Sequence, residues 1–306
     1  MKSLTLAVLL FTLTAAAGAQ EPPSQPFALP DYETIPRAER YASRGEYEAA
    51  RHDARFVLKK VSYASDGLTV YAYLYAPRAP QGKLPVIVFN RGSWTWTEFA
   101  GEYLATFHNL ARAGFVVLAP MYRGSGGAEG RDELGGADLN DLLGTRELLR
   151  QLPYADTDAV FMYGESRGGM MTYQAIRERY PMRAAAVYGA FSDLAELARP
   201  GGRFEKAAHA IWPDYDERSE EIARRRSALQ WAERFETPVL IMHGGADGDV
   251  PPGQALALAA RLDQLDKKYE LLIRAGGRHT LSDWRTERDA RAVEWFRRHM
   301  QSPVPP

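Results

Sequence analysis

The chain has 306 residues, 38 Lys+Arg against 39 Asp+Glu, a formal charge of −1 at pH 7, 45% apolar residues and no cysteine. Such a length and apolar content support one large α/β domain or two smaller ones and exclude disordered and fibrous classes. The near-zero charge offers no net field to nucleic acid or anionic lipid, and the lack of cysteine removes disulfides, thiolate metal sites and a cysteine nucleophile.

The N-terminus carries Lys2, an apolar run from Leu4 to Ala17, and the small residues Ala17-Gly18-Ala19. This is the pattern of a cleaved signal peptide over residues 1–19. An apolar run of about 14 residues makes about 21 Å of helix, short of the roughly 30 Å hydrocarbon core, so no stable membrane insertion is expected after cleavage. The mature protein is therefore expected to be secreted or periplasmic. Residues 20–54 form a leader and a short helix: Pro22, Pro23, Pro26, Pro30 and Pro36 fix φ and remove donors, predicting an extended stretch with no core role. A charged helix is expected over residues 38–53.

Two β-rich runs, Phe56 to Val61 and Leu68 to Tyr75, flank Ser65-Asp66-Gly67 and predict an antiparallel hairpin. Leu84 to Phe89 is continuously apolar, as a strand buried on both faces should be. Strand and helix then alternate: helix 98–113, strand 115–120, helix 137–151, strand 159–163, helix 168–180, strand 184–188, strand 238–242, helix 253–265, strand 269–273, helix 284–299. Repeated βα units mean a mostly parallel sheet, here of eight strands with helices on both faces, forming one domain over 55–300 with a tail at 301–306. The one long interruption, residues 192–236, is charged and is expected to be a helical cap insertion over a site.

Residues 161–169 read FMYGESRGG, a strand, then Gly164-Glu165-Ser166-Arg167-Gly168, then a helix. The GxSxG pattern belongs to a strained strand-to-helix turn whose glycines avoid clashes and whose serine stands above the sheet. A serine hydroxyl needs an imidazole to take its proton, and the imidazole needs a carboxylate to set its tautomer. Of the six histidines, His52, His108 and His299 lie on predicted helices and are expected at the surface, His209 falls in the insertion, and His243 ends a strand. His279 alone sits in a glycine-bearing loop after the last strand, at the carboxyl edge of the sheet where ligand chemistry gathers. Asp247, on the loop after strand 238–242, is the expected acid. Asp193 is the runner-up, and Asp249 is expected to stabilise its loop. The order Ser166, Asp247, His279 is that of an α/β-hydrolase. The oxyanion needs backbone donors. Arg167 N–H follows the nucleophile, and Ser93 N–H is expected from the loop Asn90-Arg91-Gly92-Ser93-Trp94, where Arg91 and Trp94 serve equally well as loop anchors. Trp94, Trp96, Trp212 and Tyr215 are candidates for the acyl pocket.

GESRGGMMTY at 164–173, YRGSGGAEG at 122–130 and RSALQWAERFETPVLIMHGGADGDVP at 226–251 resemble the α/β-hydrolase catalytic domain of prolyl oligopeptidase-like serine peptidases. The resemblance covers about residues 55 to 300. It implies that Asp247, in the pattern HGxxDxxVP, is the acid and that His279 is the base. Two departures stand out: about 35 residues lie between the expected signal and the first strand where full-length members of the family carry a β-propeller, and Arg91-Gly92 replaces the family's His-Gly.

Gly124, Gly126, Gly127 and Gly130 do not make a GxGxxG nucleotide site, and an EF-hand at Asp247 fails because Leu258 occupies the glutamate position. No cofactor, metal or nucleic acid is expected, and no feature of the pattern specifies an oligomeric state. The expected function is that of a secreted serine hydrolase forming an acyl-enzyme on a small peptide or ester. A peptidase of the prolyl oligopeptidase type is the first reading, a carboxylesterase-like enzyme the alternative, and a non-catalytic hydrolase-fold binding protein the third.

Overall fold

A computed structural model of the chain describes residues 21–93 and 98–305. The expected signal peptide and two of the pocket candidates, Trp94 and Trp96, lie outside the described residues. The strands are β1 (Ser24–Pro26), β2 (Phe56–Ser65), β3 (Leu68–Pro77), β4 (Leu84–Asn90), β5 (Val116–Pro120), β6 (Ala155–Glu165), β7 (Ala184–Tyr188), β8 (Val239–Gly244) and β9 (Tyr269–Arg274). They form one sheet of nine strands in the order β1-β2-β3-β5-β4-β6-β7-β8-β9. From β5 to β9 every neighbouring pair is parallel, and the β1, β2, β3 end is antiparallel. The β2–β3 hairpin closes through Asp66 (φ 51°) and Gly67 (φ 80°), a two-residue turn whose positive φ values match the twist of the flanking strands.

The helices are α1 (Arg44–Arg51), α2 (Ala100–Arg112), α3 (Leu139–Arg150), α4 (Arg167–Arg177), α5 (Leu194–Leu197), α6 (Glu205–Ile211), α7 (Tyr215–Arg226), α8 (Gly253–Gln264) and α9 (Arg285–Arg298). The sheet divides the interior because successive side chains on a strand point to opposite faces. On β4, Val86 and Val88 join the core shared with α3, α4 and α8, while Ile87 and Phe89 join the one beneath α1, α2 and α9. That two-sided burial is why this strand is apolar at every position from Leu84 to Phe89.

The leader departs from expectation. It supplies the ninth strand, with Ser24 to Pro26 paired to Val61 to Lys59 of β2, and it buries Ile35, Ala38 and Ala42 in the second core. Gly101 on α2 makes this docking possible, since a Cβ there would lie 2.8 Å from Ile35 Cδ1. The single helix expected over 38–53 is split into a 3-10 turn at Ala38–Arg40 and α1. The break falls at Ser43, whose side chain and Glu46 form a reciprocal capping box that starts a new helix. The insertion is helical as expected, comprising α5, α6, α7 and a 3-10 stretch at Ala228–Arg234.

Candidate active site

β6 runs straight into α4, and Ser166 occupies the joint at φ 51° and ψ −117°. A side chain that holds this conformation costs about 1–3 kcal/mol unless the surroundings compel it. They do. A Cβ on Gly168 would overlap the Asn90 carbonyl and one on Gly164 would overlap Gly168 O, so only glycine lets the start of α4 pack against the end of β4. Ser166 N–H also donates to Tyr188 O at 2.9 Å, tying the turn to β7.

Ser166 Oγ lies 2.9 Å from His279 Nε2, and His279 Nδ1 lies 2.8 Å from Asp247 Oδ2. The three side chains follow β6, β9 and β8, strands on one side of the sheet with β7 between β6 and β8. Gly189, at the end of β7 with φ 59°, clears space for the histidine, because a Cβ there would stand 3.1 Å from His279 Nδ1 and 2.8 Å from its carbonyl. Asp247 Oδ1 accepts from Asp249 N at 2.9 Å and Val250 N at 2.8 Å, so its other oxygen is turned to the imidazole.

Burial alone would lift the Asp247 carboxyl. Hydrogen bonds from His243 and His279 outweigh it and hold the group well below the usual carboxylate range. Burial pulls the His279 imidazole down, but the Asp247 hydrogen bond and the charges of Asp247, Glu165 and Asp249 prevail, and its pKa is raised above the ordinary 6.5. The runner-up acid, Asp193, instead caps α5 by accepting from Glu196 N at 3.3 Å. Asp249 is exposed, with Oδ2 3.7 Å from Arg40 Nη2.

One histidine differs from the sequence expectation, and another, His243, ends its strand as expected but also reaches Asp247. His108 is buried rather than at the surface, with Nε2 2.9 Å from Asp53 Oδ2, because its helix face packs on β2 through Phe56. His243 is fully buried and lies 3.2 Å from Asp247 Oδ2 and 3.0 Å from Val250 O through one atom, Nε2. Two acceptors at Nε2 require the proton there, so His243 is a second donor to the acid. Its place four residues before Asp247 was a legible signal.

The Gly92–Ser93 segment at the end of β4 borders the serine. Ser93 has φ 56° and lines the same cavity as Ser166, Arg167 and His279. Behind it lie two buried guanidiniums. Arg91 Nη1 donates to Gly92 O at 3.1 Å and Ser93 O at 2.7 Å, and Arg167 Nη1 donates to Ser93 O at 3.1 Å. Asp132 accepts from Arg91 at 3.3 Å and from Arg167 at 2.7 and 2.8 Å, and Asp138 accepts from Arg167 at 2.5 Å. Arg91 is thus the anchor of its loop, and the centre of the Tyr122 ring lies 5.2 Å from its guanidinium and 4.4 Å from that of Arg167. The neighbouring Glu165 is buried with its pKa raised by desolvation, although Tyr188 OH donates to it at 2.6 Å.

The cavity in front of Ser166 holds about 1030 Å³. Its walls come from the leader (Ile35, Arg37), from α2 (Glu102) and from the insertion (Leu197, Phe204). Burial, with a smaller push from Glu98, lifts the Glu102 carboxyl to about 7. Trp212 and Tyr215 do not line it. Both are buried in the core between the insertion and the body, where Trp212 Nε1 donates to Glu133 O at 3.2 Å and Arg226 covers its ring. An aromatic residue in a cap can face the site or the body, and the charged sequence around Trp212 and Tyr215 does not say which. Among the described residues no helix is long and apolar enough to cross a membrane.

A model of the prolyl oligopeptidase family matches residues 102–303. The chain is 28% identical over 214 residues to "Uncharacterized peptidase YtmA" of Bacillus subtilis (strain 168), covering 70% of this chain and 82% of that one. It is 27% identical over 265 residues to the human acylamino-acid-releasing enzyme, covering 80% of this chain but 35% of the enzyme. Among solved structures it superposes on the Pyrococcus horikoshii acylaminoacyl peptidase with a TM-score of 0.65 at 24% identity, over 82% of this chain and 43% of that one. The chain thus spans most of one relative and less than half of the other two. Its mostly parallel sheet, with the serine turn between β6 and α4, is the α/β-hydrolase fold that this superposition shares. The chain belongs to the prolyl oligopeptidase family of serine peptidases.

Proposed function

We propose that the protein is an exported peptidase of short peptides that works through an acyl-enzyme on Ser166. The observation that carries this reading is the unbroken chain of contacts Ser166 Oγ to His279 Nε2 at 2.9 Å and His279 Nδ1 to Asp247 at 2.8 Å. Ser166 Oγ attacks the scissile carbonyl and passes its proton to Nε2. The imidazolium, stabilised by Asp247, then returns that proton to the departing amine, and water repeats the cycle on the ester. The N–H groups of Arg167 and Ser93 hold the oxyanion, each donor contributing roughly 3 kcal/mol to the transition state. A cavity of about 1030 Å³ walled by leader and insertion favours short peptides over folded chains. Lys2, the apolar run to Ala17 and Ala17-Gly18-Ala19 support export with cleavage after Ala19.

The decisive experiment treats purified mature protein and Ser166→Ala with a fluorophosphonate and compares p-nitrophenyl esters with aminoacyl and prolyl p-nitroanilides. The wild type should be labelled and Ser166→Ala should not, with turnover lost; labelling that survives the substitution would remove Ser166 from the mechanism. Cleavage of esters without anilides would make the enzyme an esterase on the same apparatus, since an amine must be protonated to leave and an alkoxide needs less help. N-terminal sequencing of the exported protein checks the cleavage site.

A further inference from the structure

The two peptide groups proposed to hold the oxyanion are held differently from behind. In a trans peptide the C=O and N–H point opposite ways, and the described residues contain no cis bond. The Ser166–Arg167 unit has its carbonyl bound by Gly169 N at 2.9 Å and Met170 N at 3.2 Å, donors that the first turn of α4 supplies automatically. The Gly92–Ser93 unit follows the end of β4. Its carbonyl instead accepts from Arg91 Nη1 at 3.1 Å, and that same nitrogen reaches Ser93 O at 2.7 Å.

We infer that Arg91 is a positioning residue for the oxyanion donor at Ser93: its guanidinium clamps the carbonyls on both sides of the Ser93 N–H, fixing that peptide in the left-handed turn and strengthening the donor from its oxygen end. This rests on the reading of Ser93 N–H as an oxyanion donor. A donor on a peptide carbonyl polarises the N–H at the other end, and a charged donor does so most in a dry site. Arg91 is fully buried. Its other terminal nitrogen is fixed by Met121 O at 3.1 Å, Ser125 Oγ at 3.0 Å and Asp132 at 3.3 Å, so the clamp cannot swing away. Burial and the like charge of Arg167 bring its pKa to about 10, which leaves it protonated at neutral pH. Reaching both carbonyls, Met121 O, Ser125 and Asp132 at once requires a planar fork, which a lysine ammonium cannot replace.

The test compares wild type, Arg91→Lys and Arg91→Met, with rates normalised to sites titrated by a fluorophosphonate. The substrate is a p-nitrophenyl ester, and the affinity of a peptidyl trifluoromethyl ketone, which forms an oxyanion adduct on the serine, is measured alongside. Losing a whole donor typically costs about 10²–10³ in kcat, so a loosened donor should cost about 10- to 100-fold, with KM within about twofold and ketone affinity falling with kcat/KM. Added guanidinium should restore part of the rate to Arg91→Met. An Arg91→Lys enzyme with wild-type kcat per titrated site, or one whose ketone affinity is unchanged while kcat falls, overturns the inference. Should neither variant fold, Ser125→Ala removes one anchor and leaves the guanidinium in place; it should lower kcat about two- to fivefold at constant KM, and an unchanged kcat would count against the clamp. Retained turnover in Ser166→Ala would instead strike the underlying reading of the site.

Discussion

Ser166 can hold φ 51° only because its two flanking glycines yield space on both sides. Gly168→Ala should therefore be among the most damaging single-methyl changes: its Cβ meets backbone at Asn90, which cannot swing aside as a side chain would. A loss of at least about 3 kcal/mol in urea unfolding is expected, with no fluorophosphonate labelling of whatever remains folded. The proposed base carries a second expectation. In that role His279 must be neutral to accept a proton, and its pKa is raised above 6.5 by Asp247 despite burial. Activity should thus be full at high pH and fall on acidification through a pKa above 6.5, read as the acidic limb of kcat/KM. A profile flat from about pH 5 to 8 would remove His279 from that role. Asp247→Asn takes away both the tautomer control and the source of the upward shift. It should lower kcat on the order of 10³–10⁴-fold and move any residual limb to lower pH.

At the scale of elements, the leader is the part whose behaviour differs most from a reading of its composition. Prolines fix φ but do not prevent docking, and the aliphatic and aromatic residues between them find the groove beside α2. Ile35 is 6% exposed and sits over Gly101. The segment that follows is tied to the base loop, with Thr280 donating to Arg40 O at 3.2 Å and Arg285 to Tyr41 O at 2.6 Å. Ile35→Ala should cost about 2 kcal/mol or more in chemical denaturation. It should also raise KM more than it lowers kcat, because residues 34–37 wall the cavity but do not touch Ser166. Unchanged KM with lowered stability would confine the leader to a packing role.

Considered as a whole, the molecule carries two cores on the faces of one sheet, and the insertion belongs to the first of them. Trp212, Ile222 and Trp231 share that core with α4 and β7. Arg226 donates to Leu134 O at 2.5 Å and Glu133 O at 2.9 Å, linking the insertion to the loop that carries Asp132 and Asp138. Removal of residues 195–230 would expose those apolar faces. It should yield insoluble or molten protein, detectable as lost near-UV circular dichroism, rather than an enzyme of broader specificity. A folded deletion variant that still hydrolyses a p-nitrophenyl ester would make the insertion a detachable lid.

Strand order along the chain, the GxSxG turn and the placing of His279 beside Ser166 were legible because each depends on local pattern: apolar runs, glycine where a Cβ cannot fit, and a loop directly after a strand. The loop after the seventh predicted strand points to Asp247 over Asp193, and the family likeness points to the same residue. Which way Trp212, Tyr215 and His108 point, how the leader docks, and why arginine stands at 91 and 167 were not legible, for those outcomes depend on partners distant in sequence. Arg91 meets Asp132 and Met121 only once β4 and β5 lie side by side. Local sterics and hydrophobic period are written residue by residue, whereas the partner of a buried charge is set by which strands become neighbours, and that is decided when the sheet assembles.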